Sequence, residues 1–177
     1  MTRRRTTGYS GKIIDVYLET VKLPNGRITE LEIVRHPGGA AAVALDARDR
    51  VCLLRQYRHV AGGWLWELPA GKIDSREDPL LTARRELEEE AGIRAGRWDS
   101  LGDLLSSPGV FAEVIHLYLA RDLALVEPAP AEDEVIEVHW LPFTEALSWA
   151  YAGEVRDAKT IIGLLRARWF VQPESPE

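Results

Sequence analysis

The stretch Gly71–Ile93, GKIDSREDPLLTARRELEEEAGI, predicts a loop that leads into an α-helix. Asp78 is a suitable N-cap, and Pro79 is typical of the first turn of a helix. Gly92 is a natural stop at the other end. The sequence therefore predicts a helix that begins near Pro79 and ends at Gly92. Its apolar stripe, at intervals of three and four residues, is Leu80, Leu81, Arg84, Leu87 and Ala91.

Four glutamates lie in the second half of this helix. Glu86, Glu89 and Glu90 are spaced so that their carboxylates share one face, whereas Glu88 points to roughly the opposite side, where we expect it to be solvated. One interpretation is a solvated acidic face with the preceding arginines as counter-charges. The other is a site for a hard cation such as Mg²⁺, which prefers oxygen ligands and keeps positions for water and phosphate. Such a site suits phosphoryl or pyrophosphate chemistry.

The glycine, the charged residues and the aliphatic residues of this stretch also form one extended pattern. Gly71, Glu77 and the run Arg85–Ile93 fill every specified position of G-x5-E-x7-R-E-U-x-E-E-x-G-U, in which U is a bulky aliphatic residue. This pattern resembles the signature of the Nudix hydrolases, which cleave a diphosphate linked to another group. A motif of this kind requires a loop and then a helix beside a sheet.

The resemblance implies roles for the residues of the motif. Arg85 would pair with Glu77 and orient the helix. Glu86 and Glu90 would be the principal metal ligands, Glu89 a further ligand, and the backbone carbonyl of the residue before Gly71 would contribute as well. The implied cation is Mg²⁺, with Mn²⁺ or another divalent cation as alternatives. The implied metal ligands are, in chain order, Ala70, Glu86, Glu89 and Glu90.

Composition narrows the classes of protein. The 177 residues suit one globular domain with a sizeable core, and the net charge of −6 argues against a general nucleic-acid or anionic-membrane binder. The single Cys52 excludes an intramolecular disulfide and a Cys-based zinc cluster, and its apolar neighbours predict a buried structural thiol. No apolar run approaches the length of a membrane span.

The N-terminus and the histidines show no sign of a specialised role. Residues 1–10 are basic but are not followed by an apolar segment, so we expect a loose tail in a cytoplasmic protein rather than a secretory signal. The histidines lack metal-ligand spacing, and we expect all of them to be structural or on the surface. They are His36, His59, His116 and His139.

The remaining pattern predicts an α/β fold. Two strands flank the turn Pro24–Gly26, and a C-terminal helix begins near Asp157. The Nudix resemblance implies an α/β/α sandwich with a mixed central sheet, preceded by an N-terminal antiparallel strand region. We assign residues 1–36 to that region and 37–177 to the Nudix domain. The other predicted strands are 40–45, 51–54, 64–68, 101–105, 114–120 and 135–140, and a further helix runs from about 144 to 152.

Sequence outside the motif is similar to that of ADP-ribose pyrophosphatases within the Nudix superfamily. The similar runs are Arg55–Arg58, Glu67–Gly71, Ser107–Gly109 with Glu113, and the segments 132–140 and 153–159; Pro108 stands 16 positions after Gly92. The resemblance implies hydrolysis of ADP-ribose to AMP and ribose 5-phosphate. The alternatives are hydrolysis of GDP-mannose or another nucleoside diphosphate sugar, and a sensor that binds ADP-ribose without cleaving it.

The same runs supply candidates for substrate binding. Arg58 is either a surface charge or a guanidinium that grips a phosphate. Trp64 either belongs to the core or stacks on adenine. Glu113 either caps a strand or, as the resemblance implies, helps to hold substrate or metal. The relatives often carry a basic residue near Glu30, where the nearest one here is Arg27. The full set is Arg27, Arg55, Arg58, Trp64, Glu67, Pro108, Gly109 and Glu113.

The acidic loop 128–134 is the predicted source of the base that activates water. Glu132 and Glu134 both qualify, and Glu134 is preferred because it lies next to the strand that begins at Val135. A solvated acidic loop is the alternative, in which case Glu89 or Glu113 is the next candidate. The resemblance also implies a homodimer that forms through the N-terminal strands.

Overall fold

The computed structural model describes residues 4–74, 77–132 and 134–171, and these form ten β-strands and three α-helices. The strands are β1 (Arg4–Ser10), β2 (Asp15–Lys22), β3 (Ile28–Arg35), β4 (Gly39–Ala44), β5 (Arg50–Arg58), β6 (Gly63–Glu67), β7 (Ala70–Lys72), β8 (Ile93–Ser107), β9 (Phe111–Leu125) and β10 (Ile136–Pro142). The helices are α1 (Pro79–Ala91), α2 (Phe143–Ala152) and α3 (Ala158–Val171).

The strands form one large mixed sheet and one small antiparallel sheet. The large sheet has the order β1-β2-β3-β9-β4-β7, and β8 also pairs with β9. Strand β9 runs parallel to β3 and β4, whereas the other pairs in this sheet are antiparallel. The small sheet has the order β10-β5-β6. The start of β9 therefore lies beside the end of β3 and the start of β4.

Two apolar clusters cover the two faces of β4. Val43 packs in a cluster with Leu164 of α3, whereas the neighbouring Ala42 packs in a second cluster with Leu87 of α1. Adjacent residues of a strand point to opposite faces. The sheets are therefore enclosed between α1 on one side and the C-terminal helices on the other, which confirms the predicted α/β/α sandwich.

Local signals predicted the ends of α1 correctly. The Asp78 carboxylate accepts a hydrogen bond from the backbone N–H of Leu80 at 2.8 Å. Pro79 begins the helix, and Gly92 ends it at φ 63°. The predicted apolar stripe was partly wrong, because Leu81 is 51% exposed while Glu86 and Glu90 are buried. The helix is rotated so that these carboxylates face the protein interior.

The N-terminal tail differs from its prediction. Within the described residues, β1 pairs with β2 instead of forming a loose tail. Arg5 donates two hydrogen bonds to Glu19, at 3.2 and 2.9 Å, and Glu19 is 3% exposed. The basic composition concealed this strand, since its cation is used to neutralise a buried carboxylate. The predicted hairpin of β2 and β3 is confirmed, with Gly26 in its turn at φ 84°.

The remaining predicted elements are present, and some are longer than expected. Strand β8 extends well beyond the predicted 101–105. Its sequence lacks the apolar alternation typical of a strand, and its pairing with β9 stabilises it instead. Helix α3 begins after Asp157, whose carboxylate accepts a hydrogen bond from the N–H of Thr160 at 3.0 Å. Cys52 is buried and unpaired, as predicted. None of the helices in the described ranges has the length and apolar character of a membrane span.

Candidate active site

A cavity of about 820 Å³ opens where β4, β5, β7, β9 and the start of α3 meet. Strand β7 contributes Ala70 and Gly71, and strand β5 contributes Arg58. The residues that matter for the chemistry of its wall are Arg58, Ala70, Gly71, Glu113, Glu134 and Lys159. Carboxylates and cations therefore face the same space from different elements.

Strand β7 holds the carboxylates of α1 in place. The backbone N–H of Ala70 donates to Glu90 Oε2 at 2.8 Å. The Glu86 carboxylate lies so close to Gly71 that a β-carbon at this position would overlap it. Glu86 is 8% exposed and Glu90 is 3% exposed. Because Gly71 has no β-carbon, it lets this carboxylate approach the backbone.

Burial makes these carboxylates costly when they are ionised. Burial raises the pKa of Glu90 to about 8, and the nearby charges of Glu86 and Glu134 act in the same direction. Burial also raises the pKa of Glu86, although Arg85 opposes the effect. The two carboxylates lie against Gly71 and Ala70 of the cavity wall, and burial disfavours their ionised forms.

Arg85 connects the acidic residues of the motif. Its Nη1 donates to Glu86 Oε1 at 2.7 Å and to Glu89 Oε2 at 3.1 Å, and its Nη2 donates to Glu77 Oε2 at 3.3 Å. Thr82 Oγ1 also donates to Glu77 Oε2, at 2.8 Å. The predicted ion pair between Arg85 and Glu77 is therefore present, and it ties the loop before α1 to the middle of the helix.

The donors at this place suit a hard divalent cation. Within the described ranges, no three His, Cys, Asp or Glu side chains already converge as a ready metal cluster. The buried carboxylates of Glu86 and Glu90 would lose their mutual repulsion on binding a cation, and all the donors are oxygens, as Mg²⁺ prefers. Glu89 is 43% exposed and is held by Arg85. Ala70 lines the cavity beside Glu90.

The two candidate bases occupy different environments. Glu134 lines the cavity, and its charge contributes to the raised pKa of both Glu86 and Glu90. Its carboxylate also accepts a hydrogen bond from the N–H of Ala131 at 3.0 Å. Glu132 is exposed, and the intervening Asp133 lies outside the described residues. The geometry therefore favours Glu134 as the group that faces the buried carboxylates.

A second charged network forms the cationic part of the wall. Arg58 donates to Glu67 through Nε at 2.9 Å and through Nη2 at 3.0 Å, and Lys159 Nζ donates to Glu67 Oε2 at 2.5 Å. Burial alone would raise the pKa of Glu67, but Arg58 and Lys159 together lower it to about 2. Lys159 also pairs with Asp157 at 3.0 Å. Glu67 therefore lies behind Arg58 and holds it, instead of facing the cavity.

Lys159 was absent from the predicted site residues. The similarity of segment 153–159 to a run in ADP-ribose pyrophosphatases is the sequence signal that could have identified it. Its contact with Glu67 spans 92 positions of the chain, so no local pattern could reveal it.

Several predicted substrate-binding residues lie away from this cavity. The Arg55 guanidinium lies 5.8 Å from the Trp64 ring centre and 5.7 Å from that of Trp66. Arg55 and Arg58 are separated by three positions of one strand, so they point to opposite faces. Pro108 and Gly109 form the turn between β8 and β9, and Arg27 lies in the turn between β2 and β3.

One of the four histidines lies at the cavity. His36 lines the cavity, and its Nδ1 lies 3.0 Å from Glu113 Oε1. The pairing of β9 with β3 and β4 brings these distant positions together. The predicted site residue Glu113 therefore faces the cavity together with a partner that the sequence did not suggest.

Residues 35–162 match the family model of the NUDIX domain. The chain belongs to the Nudix hydrolase family. This match extends well beyond the motif and covers β4 to the first turns of α3. The family recognised from the pattern Gly71–Ile93 is thus confirmed.

Relatives within the family carry more than one activity in their names. An ADP-ribose pyrophosphatase of Bacillus subtilis (strain 168) is 40% identical over 154 residues, covering 86% of this chain and 83% of the relative. An ADP-ribose pyrophosphatase of Mycobacterium tuberculosis is 39% identical over 174 residues, covering 94% and 84%. A GDP-mannose pyrophosphatase of Cronobacter sakazakii is 38% identical over 148 residues, covering 74% and 77%.

A solved structure shows the same fold. A crystal structure of an ADP compounds hydrolase superposes with a TM-score of 0.83 at 21% sequence identity. The superposition covers 97% of this chain and 94% of that protein. The N-terminal strands are therefore included in the shared architecture.

Proposed function

We propose that this Nudix hydrolase is a divalent-cation-dependent pyrophosphatase that cleaves ADP-ribose to AMP and ribose 5-phosphate. The observation that carries the proposal is the pair of buried carboxylates, Glu86 and Glu90, which lie against Gly71 and Ala70 of a cavity wall that also holds Arg58 and Lys159. The ADP-ribose pyrophosphatases align with more of this chain than the GDP-mannose enzyme does. We therefore favour ADP-ribose over GDP-mannose as the substrate of this protein.

Glu86 and Glu90 would hold Mg²⁺, or Mn²⁺ in its place, with Glu89 and the carbonyl of Ala70 as further ligands. When bound, such a cation polarises the phosphate oxygens and offsets their negative charge. Arg85 keeps Glu86 and Glu89 in position through its two hydrogen bonds. It also partly neutralises the site, so that the carboxylates can remain close together before a cation arrives.

Arg58 would bind the diphosphate. Glu67 occupies the Nε and Nη2 side of its guanidinium, which leaves Nη1 for a phosphate oxygen. A guanidinium held by a buried carboxylate loses little further side-chain entropy when it binds. Glu67 thus serves substrate binding indirectly, by fixing Arg58.

Glu134 would accept a proton from the attacking water. It lies on the cavity wall and is not needed to hold the cation, so its carboxylate is free to act as a base. Glu132 is the second candidate for this role, and Glu89 and Glu113 follow. Glu113 would contact the sugar that lies beyond the diphosphate.

The N-terminal strands would form a homodimer and complete the adenosine site of the second copy. These strands and the turn between β1 and β2 expose several large apolar side chains, namely Tyr9, Ile13, Ile28 and Leu31. Residues 1–36 would then act as a unit for dimerisation and substrate binding, and residues 37–177 as the hydrolase domain. Arg27, in the turn between β2 and β3, would reach the substrate from this region.

A substrate panel with Mg²⁺ tests the proposal. The wild-type protein should release AMP from ADP-ribose with a higher kcat/KM than it releases GMP from GDP-mannose. Glu86→Gln should nearly abolish turnover, whereas the matched control Glu88→Gln, on the opposite side of α1 in a pair with Arg94, should retain it. A higher kcat/KM for GDP-mannose would overturn the substrate assignment, and tight binding of ADP-ribose without cleavage would indicate a sensor.

A further inference from the structure

The segment of chain that leads to Glu134 is attached to the C-terminal end of α1. After β9, the N–H of Val126 donates to the carbonyl of Gly92 at 2.8 Å. The N–H of Ala129 then donates to the carbonyl of Glu89 at 2.9 Å. Carbonyls in the last turn of a helix have no partner within the helix. The segment 126–129 therefore docks on α1 through acceptors that the end of the helix leaves open.

A short and stiff piece of chain joins this docking point to Glu134. Pro128 and Pro130 flank Ala129, and each proline fixes its own φ and has no N–H. The N–H of Ala131 donates to the Glu134 carboxylate at 3.0 Å, and the N–H of Glu134 donates to the carbonyl of Ala131 at 3.0 Å. We therefore expect a displacement of Ala129 to move Glu134 as well.

Gly92 leaves room for this segment. A β-carbon there would lie 2.7 Å from the carbonyl oxygen of Val126 and 3.1 Å from Cδ of Pro128. A carbon and a carbonyl oxygen lie about 3.3–3.6 Å apart even in close C–H···O contacts, so a side chain at this position would push the segment away. Gly153 ends α2 in the same left-handed conformation, at φ 83°, but its β-carbon would have no heavy atom of the described residues within 4 Å, its chain neighbours aside. The need for space at Gly92 is therefore separate from the need to end a helix.

We infer that Gly92 is a positioning residue, which lets the segment that leads to Glu134 dock on α1 and so fixes this base relative to the carboxylates of the helix. The inference rests on the proposed function, in which Glu134 accepts a proton from water while Glu86 and Glu90 hold the cation. Glu89, whose carbonyl receives the segment, belongs to the same turn as these carboxylates. The helix that supplies the ligands is therefore also the support for the base, which must lie within hydrogen-bond reach of the attacking water.

Kinetics of ADP-ribose hydrolysis test this role with a matched pair of glycines. Gly92→Ala should lower kcat about 10- to 100-fold, since a misplacement of about 1 Å has an effect of this size. The KM and the Mg²⁺ dependence should stay within about twofold of the wild type. Gly153→Ala has the same unfavourable φ without the contact, so it should keep kcat within about twofold. Asparagine tolerates a positive φ, so Gly92→Asn should unfold at a higher urea concentration than Gly92→Ala while its kcat stays low.

A second substitution separates positioning from structure. Glu134→Gln removes the base, so adding Gly92→Ala to it should change the remaining kcat by no more than about twofold. A general structural defect would lower kcat by the same factor in both backgrounds, and that result would overturn the inference. A wild-type kcat in Gly92→Ala, or an equal loss in Gly153→Ala, would overturn it as well. A wild-type protein that cleaves no ADP-ribose, or a near-normal kcat in Glu134→Gln, would instead overturn the proposed function.

Amide hydrogen exchange measures the docking itself and needs no turnover. The N–H of Ala129 should exchange more slowly than in an unstructured peptide of the same sequence, because it donates to Glu89. Exchange at this amide should be faster in Gly92→Ala and unchanged in Gly153→Ala. If Gly92→Ala does not fold, Gly92→Asn takes its place in each measurement. Equal exchange of Ala129 in the Gly92 variant and the wild type would overturn the inference.

Discussion

Replacing Glu90 by glutamine should stabilise the metal-free protein, and the gain should grow with pH. The Glu90 carboxyl is 3% exposed. Burial raises its pKa to about 8, and the charges of Glu86 and Glu134 act in the same direction. Glutamine keeps an oxygen that can accept from the N–H of Ala70, and its amide group can donate to Glu86. The variant therefore removes a costly charge while it preserves the hydrogen bond of the wild type.

The sign follows from the pKa of the two states. The folded pKa of about 8 lies above the ordinary value of 4.5 for a glutamate, so the folded protein holds this proton to a higher pH than the unfolded chain does. The wild type therefore loses stability as the pH rises through this interval, and the variant lacks the part of this loss that Glu90 contributes. At about 1.4 kcal/mol per pH unit, the interval corresponds to an upper limit of about 5 kcal/mol. Since a proton on Glu86 relieves the same repulsion, we expect a gain of about 2–5 kcal/mol near pH 9 and almost none near pH 5.

Urea unfolding in the presence of EDTA measures this gain, with fluorescence of the six tryptophans as the signal. Free energies of unfolding are compared between wild type and Glu90→Gln across the pH range. The control Glu88→Gln removes a carboxylate whose pKa is lowered by its hydrogen bond with Arg94, so it should not stabilise the protein at any pH. A difference between Glu90→Gln and wild type that is the same at both ends of the range would refute the reasoning.

Three further predictions concern the site and the assembly. Gly71→Ala should remove most of the activity, because its β-carbon would overlap the Glu86 carboxylate; near-normal kcat at saturating Mg²⁺ would show that this carboxylate is not needed where it stands. Glu134→Gln should lower kcat about 100-fold or more, as expected for loss of a general base, with little change in Mg²⁺ dependence, and Glu132→Gln should do less. If both single variants and the double variant keep kcat within a few-fold, the base lies elsewhere. Light scattering at micromolar concentration should give the mass of a dimer, and deletion of residues 1–35 should reduce both assembly and substrate affinity; a monomer mass for the full chain would contradict the dimer.

Local patterns predicted α1 and the family well. The cap at Asp78, the stop at Gly92 and the spacing of the glutamates are properties of neighbouring residues, so they can be read without knowing the rest of the fold. The hairpin of β2 and β3 was predicted for the same reason, from its turn. Strand β1 was not predicted because its sequence is basic. The strand is stabilised by a contact with Glu19, which only the folded chain brings near.

The rotation of α1 was harder to predict. Its periodicity suggested that Leu81 faces the core, yet Leu81 is exposed and Glu86 is buried. Ordinary burial rules place glutamate outside. They fail here because β7 crosses this face and offers a backbone N–H and a glycine, which let the carboxylates approach. A departure of this kind is expected where function requires charges to be held together.

The sequence by itself determined the motif, its helix and the carboxylates that define the family, because each depends on residues within a few turns of one another. Only the tertiary structure decided that Glu67 holds Arg58 and Lys159, and that His36 faces Glu113. These contacts join distant positions through sheet pairing and helix packing, which no local pattern encodes. The tertiary structure also decided the charge state of the site, since the pKa of Glu90 is raised by burial, and burial is a property of the folded chain.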